Sequence, residues 1–226
     1  MNYRKMEKLD LEVSALGFGA MRLPIIDDDS ANIDEAEAIE MIRYGIDNGI
    51  NYVDTAWPYH QGESEKVVGK ALKDGYREKV YLATKLPIWE CETEKDLDKI
   101  FNKQLEKMEV ESIDFYLLHA LDEGHWQTVK DLDIIEWAEK KKEEGKIKYL
   151  GFSFHDSYSL FEEILEAHDW DFCQIQYNYL DVEYQAGKKG LQKAYSKGIE
   201  VVIMEPIRGG WLAQEPPAAA KRLFES

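Results

Sequence analysis

Asp54, Tyr59, Lys85 and His119 are the residues whose types could do chemistry together. Asp54, Lys85 and His119 fall near the ends of three successive apolar runs, "INYVDTA", "KVYLATKL" and "IDFYLLHA", and Tyr59 sits five residues beyond Asp54. A phenol ionises only near pH ~10, and an adjacent ammonium favours the phenolate and is expected to lower that value. A carboxylate beside the ammonium holds it charged and oriented. An imidazole can donate a hydrogen bond to a substrate oxygen and fix a carbonyl in place. The expected product is a proton donor above an electrophile. Each residue also has a plainer reading: Asp54 as a loop cap, His119 as a structural histidine, Tyr59 as rim packing beside Pro58. Lys85 has fewer, because a lysine at the inner end of a buried strand needs a partner. Their occurrence on consecutive strands favours a site.

The elements that must position these groups alternate. Seven runs read as buried strands: "SALGFGAM", "INYVDTA", "KVYLATKL", "IDFYLLHA", "IKYLGFSFH", "DFCQIQYN" and "IEVVIMEP". Between them lie six segments with helical spacing, at 34–49, 64–75, 93–108, 126–145, 157–168 and 186–198, several opening on a capping residue and several ending in glycine. Strict alternation predicts parallel strands with right-handed crossovers, in an open doubly wound sheet or a closed (β/α)8 TIM barrel. "GFGAM" lacks the third glycine and the later acid of a dinucleotide fingerprint. Placement of Asp54, Lys85 and His119 at carboxyl ends of strands favours the barrel. "YRKMEKLDLEVS" reads as an N-terminal β-hairpin plugging the barrel floor, with its turn near Lys8 to Asp10. "QEPPAAAK" reads as a loop leading into a short helix. No linker divides 1–226, so a single barrel domain is expected, with seven strands present and the eighth missing.

The 226 residues carry 45 acidic against 28 basic side chains, a net charge of −17 that repels nucleic acid and anionic membrane surfaces. Two cysteines, Cys91 and Cys173, encode neither a disulfide framework nor a metal site. Cys173 reads as an inert core thiol and Cys91 as exposed beside Trp89. The acidic run at 27–30 reads as a solvated loop leading to the cap of the first helix. No apolar stretch is long enough for a membrane span or a leader, and a reducing cytoplasm is expected.

In order and spacing, "DTAWPYHQGESEKVVGKAL", "LATKLP", "FYLLHALD", "GFSFHDS", "QIQYNYLD" and "MEPIRGG" resemble the aldo-keto reductase family over essentially the whole chain. The resemblance implies a (β/α)8 barrel that binds a nicotinamide cofactor, NADPH with NADH as the alternative, without a Rossmann domain. It implies Tyr59 as proton donor to a small-molecule carbonyl substrate, Lys85 and Asp54 tuning it, and His119 orienting the carbonyl. For the cofactor it implies Gly19, Met21 and Arg22 after the first strand, Asp54, Ser153 and Gln176, Met204 covering the ring, and Pro206, Arg208, Gly209 and Gly210 toward the pyrophosphate. Phe154 stands where relatives carry an asparagine, leaving His155 as the replacement donor. Trp57, Trp89, Trp126 and His155 are the expected pocket lining.

The motifs resemble the branch with a ferredoxin-like cysteine tail; the tail is absent, so no iron–sulfur cluster is inferred. The chain reads as a reductase cut short after its seventh unit. A homo-oligomer through the open barrel edge is expected, and a non-catalytic or regulatory cofactor-binding barrel or an inactive fragment stand as alternatives.

Overall fold

The computed structural model describes residues 1–215. The stretch after Glu215, including the predicted short helix, lies outside the described residues.

Every predicted strand forms. An antiparallel hairpin, β1 (Tyr3–Met6) and β2 (Leu11–Ser14), precedes seven strands: β3 (Phe18–Gly19), β4 (Tyr52–Asp54), β5 (Tyr81–Leu86), β6 (Ile113–Leu121), β7 (Ile147–Phe154), β8 (Phe172–Gln176) and β9 (Glu200–Met204). All seven pair in parallel and in chain order. The result is a parallel half-barrel sheet, consistent with the (β/α)8 architecture.

Period-two alternation divides the side chains into two apolar sets. Leu82, Leu86, Tyr116, Leu118, Phe152, Phe154, Cys173 and Ile175 belong to a large core that also holds helix residues. Tyr52, Ala83, Phe115, Leu117 and Phe172 form a second cluster on the other face, joined by Met6 and Val13 of the hairpin. Rings meet edge-on there: Phe115 lies 5.1 Å from Tyr52 and 4.9 Å from Phe172. Gly151 makes room for this layer, because a Cβ at that position would sit 2.5 Å from the Phe172 carbonyl oxygen and 2.6 Å from its ring. The hairpin therefore covers the amino-terminal end of the sheet with apolar contacts, as a floor.

The helices are α1 (Glu35–Asp47), α2 (Ser64–Ala71), α3 (Glu94–Met108), α4 (Glu123–Asp131), α5 (Ile134–Glu143), α6 (Tyr158–Ala167) and α7 (Gly187–Ser196). Asp34 caps α1 by accepting from the Glu37 amide, and the acidic run at 27–30 lies exposed ahead of it. The predicted helix 126–145 is corrected to two. Asp122 caps α4 earlier, accepting from the His125 amide at 2.8 Å, and the chain breaks at Asp133 in the left-handed region (φ 46°). Periodicity continues across that break because both helices turn their apolar sides to the same sheet, which hid the break in the sequence.

Candidate active site

The polar residues converge where the strands end. Lys85, only 1% exposed, sends its ammonium across to β4, donating to Asp54 Oδ1 at 2.6 Å, to the Thr55 carbonyl at 2.8 Å and to the Tyr59 hydroxyl at 3.2 Å. Gln174 of β8 donates to the other Asp54 oxygen at 3.3 Å, so the carboxylate is gripped from both sides. Sequence reading missed Gln174, although its position two residues before Gln176 places it on the same face of β8.

Tyr59 rides on a tight turn in which His60 and Gln61 both adopt positive φ, at 53° and 54°. His60 holds that turn: its Nε2 accepts from the Leu23 amide at 2.9 Å, and its Nδ1 lies 2.7 Å from the Ser30 carbonyl. The two bonds together require the proton on Nδ1. The loop after β3 is thereby tied to the loop carrying Tyr59.

His119 faces Tyr59 edge-on, with ring centroids 6.1 Å apart, and lies 5.1 Å from the exposed Trp89 ring. The β6–β7 register shifts between Leu118 and Leu121, and Ala120 takes φ 53°, the bulge geometry that re-aims a side chain at a strand end. Ser153 Oγ accepts from the Ala120 amide at 2.7 Å and the Ala120 carbonyl lies 2.7 Å from His125 Nδ1, so both neighbours hold the bulge. His125 is a further residue the sequence reading missed; it lies 5.7 Å from Trp89, ring to ring.

Electrostatics assign the proton. Burial raises Tyr59 above the ordinary phenol value; Lys85 pulls it down, Asp54 raises it, and Arg22 adds a smaller downward pull. The net shift is upward, the reverse of the sequence expectation, because burial of the phenol outweighs the pull of Lys85, which Asp54 also partly answers. Lys85 itself is opposed by burial but raised by Asp54 and Tyr59, and ends above its ordinary value. Burial drives His119 well below the ordinary imidazole value, with Lys85, His155 and His125 adding to it. At neutral pH the cluster thus holds a protonated phenol, a charged ammonium and a neutral imidazole.

The predicted cofactor residues gather nearby. Gly19 pairs in register with Asp54. Arg22 crosses to the opposite end of the sheet, where a methyl on Gly209 (φ 64°) would lie 3.1 Å from its Cζ. Gly210 follows with φ 97°, and Arg208 is held by Asp181 through Nε at 2.6 Å. Gln176 is buried at the end of β8 and Met204 half-buried at the end of β9, whereas Met21 and Pro206 lie exposed on the loops leaving β3 and β9.

Two expectations are corrected, those for Trp126 and Cys91, and further residues take definite places. Phe154 points into the helix layer, 5.0 Å from Phe161 ring to ring, so it takes no part in the cleft. His155 is exposed and its Nδ1 lies 3.3 Å from Gln185 Nε2. Trp126 is buried and donates to Glu163 at 2.7 Å, away from the pocket. Trp57 is half-buried with the Lys107 ammonium 3.8 Å from its ring centre. Cys91 is buried, not exposed, and its thiol is pushed up to about 12. Cys173 is a core thiol raised by burial, as expected.

Fold and site together define a barrel-type α/β protein with a proton-handling cluster at the carboxyl ends of its strands. The chain belongs to the aldo/keto reductase family, whose model matches residues 15–222. It is 34% identical over 157 residues to the Glycine max "Probable aldo-keto reductase 1", a match covering 66% of this chain and 44% of that protein. Among solved structures, an aldo-keto reductase from Bacillus halodurans in its holo form superposes with a TM-score of 0.76 at 29% identity, covering 96% of this chain and 70% of that one. One from Klebsiella pneumoniae, in complex with NADP and acetate, gives 0.70 at 26% identity, with 90% and 68% covered. The match thus spans less than half the length of the soybean relative. Among the described residues no helix is long and apolar enough to cross a membrane.

Proposed function

We propose that the chain is an NAD(P)H-dependent carbonyl reductase in which Tyr59 donates the proton, with NADPH the favoured cofactor and NADH the alternative. The carrying observation is the Lys85 ammonium 3.2 Å from the Tyr59 hydroxyl, itself locked at 2.6 Å onto Asp54. The related Klebsiella structure with NADP supports the choice of cofactor.

The residues present fit a nicotinamide carboxamide and a pyrophosphate. Gln176 Oε1 is buried without a partner among the described residues and can accept an N–H. Ser153 Oγ accepts from Ala120, which leaves its O–H to donate. Gly209 and Gly210 present backbone in positive-φ turns beside Arg22 and Arg208. When bound, the cofactor supplies a hydride for the carbonyl carbon.

The chain's own part is proton transfer and orientation. Tyr59 gives its phenolic proton to the carbonyl oxygen, and the phenolate left behind is stabilised by the ammonium within hydrogen-bond reach. His119, held neutral, orients that oxygen by hydrogen bonding without competing as an acid. Trp89, exposed 5.1 Å from the His119 ring, stands at the mouth, and with Trp57 as the second proposed lining residue suits an apolar or aromatic aldehyde or ketone. The chain acts as one barrel-type domain working in a reducing cytoplasm.

Replacing Tyr59 with Phe tests it. Turnover of NADPH with an aldehyde and ketone panel should fall at least about 100-fold, the lower bound for losing a positioned acid, while NADPH affinity stays within about twofold. Unchanged turnover would sink the assignment. Cofactor binding by the wild-type chain without turnover across the panel would favour a regulatory barrel instead.

A further inference from the structure

Gln176 is 4% exposed, and its two amide atoms differ sharply in their surroundings. Nε2 donates to Asp181 Oδ2 at 3.1 Å, whereas Oε1 is buried with no partner among the described residues. The same Asp181 oxygen accepts from Asn178 Nδ2 at 2.7 Å and from Arg208 Nε at 2.6 Å, and Oδ1 accepts from Arg208 Nη2. Asn178 in turn fixes the carboxylate's own backbone, its Oδ1 accepting from the amides of Leu180 at 2.9 Å and Asp181 at 3.0 Å. One side chain thus gathers donors from the end of β8 and from the turn after β9.

An ionised carboxylate only accepts hydrogen bonds, so the Gln176 amide must turn its NH2 toward Asp181 and its carbonyl away. The flipped amide would set oxygen against oxygen. A guanidinium offers its donors in a rigid fork, and Asp181 takes the Nε–Nη2 edge in the bidentate manner, leaving the Nη1 side uncommitted among the described residues.

We propose that Asp181 is the positioning residue of the cofactor cleft: by holding Gln176 as an acceptor and Arg208 as a pre-set fork, it selects a ligand with an N–H donor at one end and anionic oxygens at the other. This rests on the reductase reading, because the ligand of that description is the carboxamide and diphosphate of a nicotinamide dinucleotide. Asp181 acts through its neighbours and need not touch the ligand.

Asp181→Asn is nearly isosteric but can turn either an oxygen or an NH2 toward Gln176, and it removes the charge facing Arg208. Asp181→Glu restores the charge. Two readouts are taken on wild type and both variants after circular dichroism has established that they fold. The first is the side-chain amide pair of Gln176 in 15N correlation spectra, identified by its loss in Gln176→Glu. It should be dispersed and slowly exchanging in wild type and Asp181→Glu, and should collapse toward free-amide positions in Asp181→Asn. The second is binding of NADPH and of inorganic pyrophosphate. Asp181→Asn should weaken NADPH about tenfold, the lower end of what losing an orienting partner costs, and pyrophosphate in the same direction, with KM rising and kcat at saturation within about twofold.

An Asp181→Asn variant that binds NADPH as tightly as wild type or tighter would overturn the proposal, since the carboxylate would then be a bystander or a block. Should wild type bind no NADPH, the reductase reading fails. The Gln176 amide signal then still decides the role of Asp181: collapse in Asp181→Asn supports it, and an unchanged pair refutes it.

Discussion

Lys85 lies almost wholly out of water between a carboxylate and a phenol, and its charge is shared unequally between them. Removing it as Lys85→Met leaves Asp54 with Gln174 and little solvent, its side chain being 13% exposed. Loss of one partner from a buried pair costs about 3–5 kcal/mol, so urea denaturation at pH 7 should show a loss of about 3 kcal/mol. The double variant Asp54→Asn, Lys85→Met should recover part of it. His119 supplies a pH dependence of known sign. Its folded value is depressed below the ordinary 6.5, so the unfolded chain binds the proton more readily. Its contribution is fully present above pH ~6.5 and is lost as pH falls below that; His119→Gln should flatten the decline in urea midpoint between pH 7.5 and 5.5 relative to wild type. Asp54, Tyr59, Lys85 and His119 were legible because each closes or follows a strand. The phenol's direction of shift was not, because it depends on how deeply Tyr59 is buried, which no spacing reveals. Asp181 and His60 escaped for a related reason: their bonds depend on turn conformations rather than on periodicity.

Among the elements, β7 carries one of the two tightest constraints, matched only at Gly69 of α2 among the described residues. Gly151 faces Phe172 across the β7–β8 pair, and an added methyl would press on a backbone carbonyl that cannot rotate away. Gly151→Ala should therefore destabilise by about 3 kcal/mol, the upper range for overpacking, read as a lowered urea midpoint. Ser153, two residues on, should release the β6 bulge at the same time. The near-ultraviolet circular dichroism of the aromatic layer is the second check, and an unaltered spectrum with wild-type stability would contradict this account. Strand positions could be read from sequence because buried parallel strands are short, β-branched and aromatic. The α4–α5 break could not, since Leu132 keeps the apolar rhythm while Asp133 turns the backbone.

For the whole molecule, two features oppose each other. β3 and β9 are terminal in the sheet among the described residues, and an unpaired parallel edge invites another chain. A net charge of −17 resists that approach at low ionic strength. Light scattering of the 226-residue chain should show association that grows as salt rises to about 0.5 M, where the Debye length falls to a few ångströms. A monodisperse monomer at every salt concentration would rule out edge pairing. The sequence conveyed both the charge and the strand count, yet it could not show how near the two ends of the sheet come to one another at the mouth.

That proximity shows at Arg22 and Gly209, where a methyl on the glycine would lie 3.1 Å from the guanidinium carbon. One residue follows the first strand of the sheet and the other follows the last, so the contact works as a clasp across the split wall. A strand that widened the gap between β3 and β9, whether from this chain, a second copy or another protein, would draw the guanidinium away from the glycine. A probe placed at either residue would then act as a gauge, reporting from the rim whether the wall below has closed.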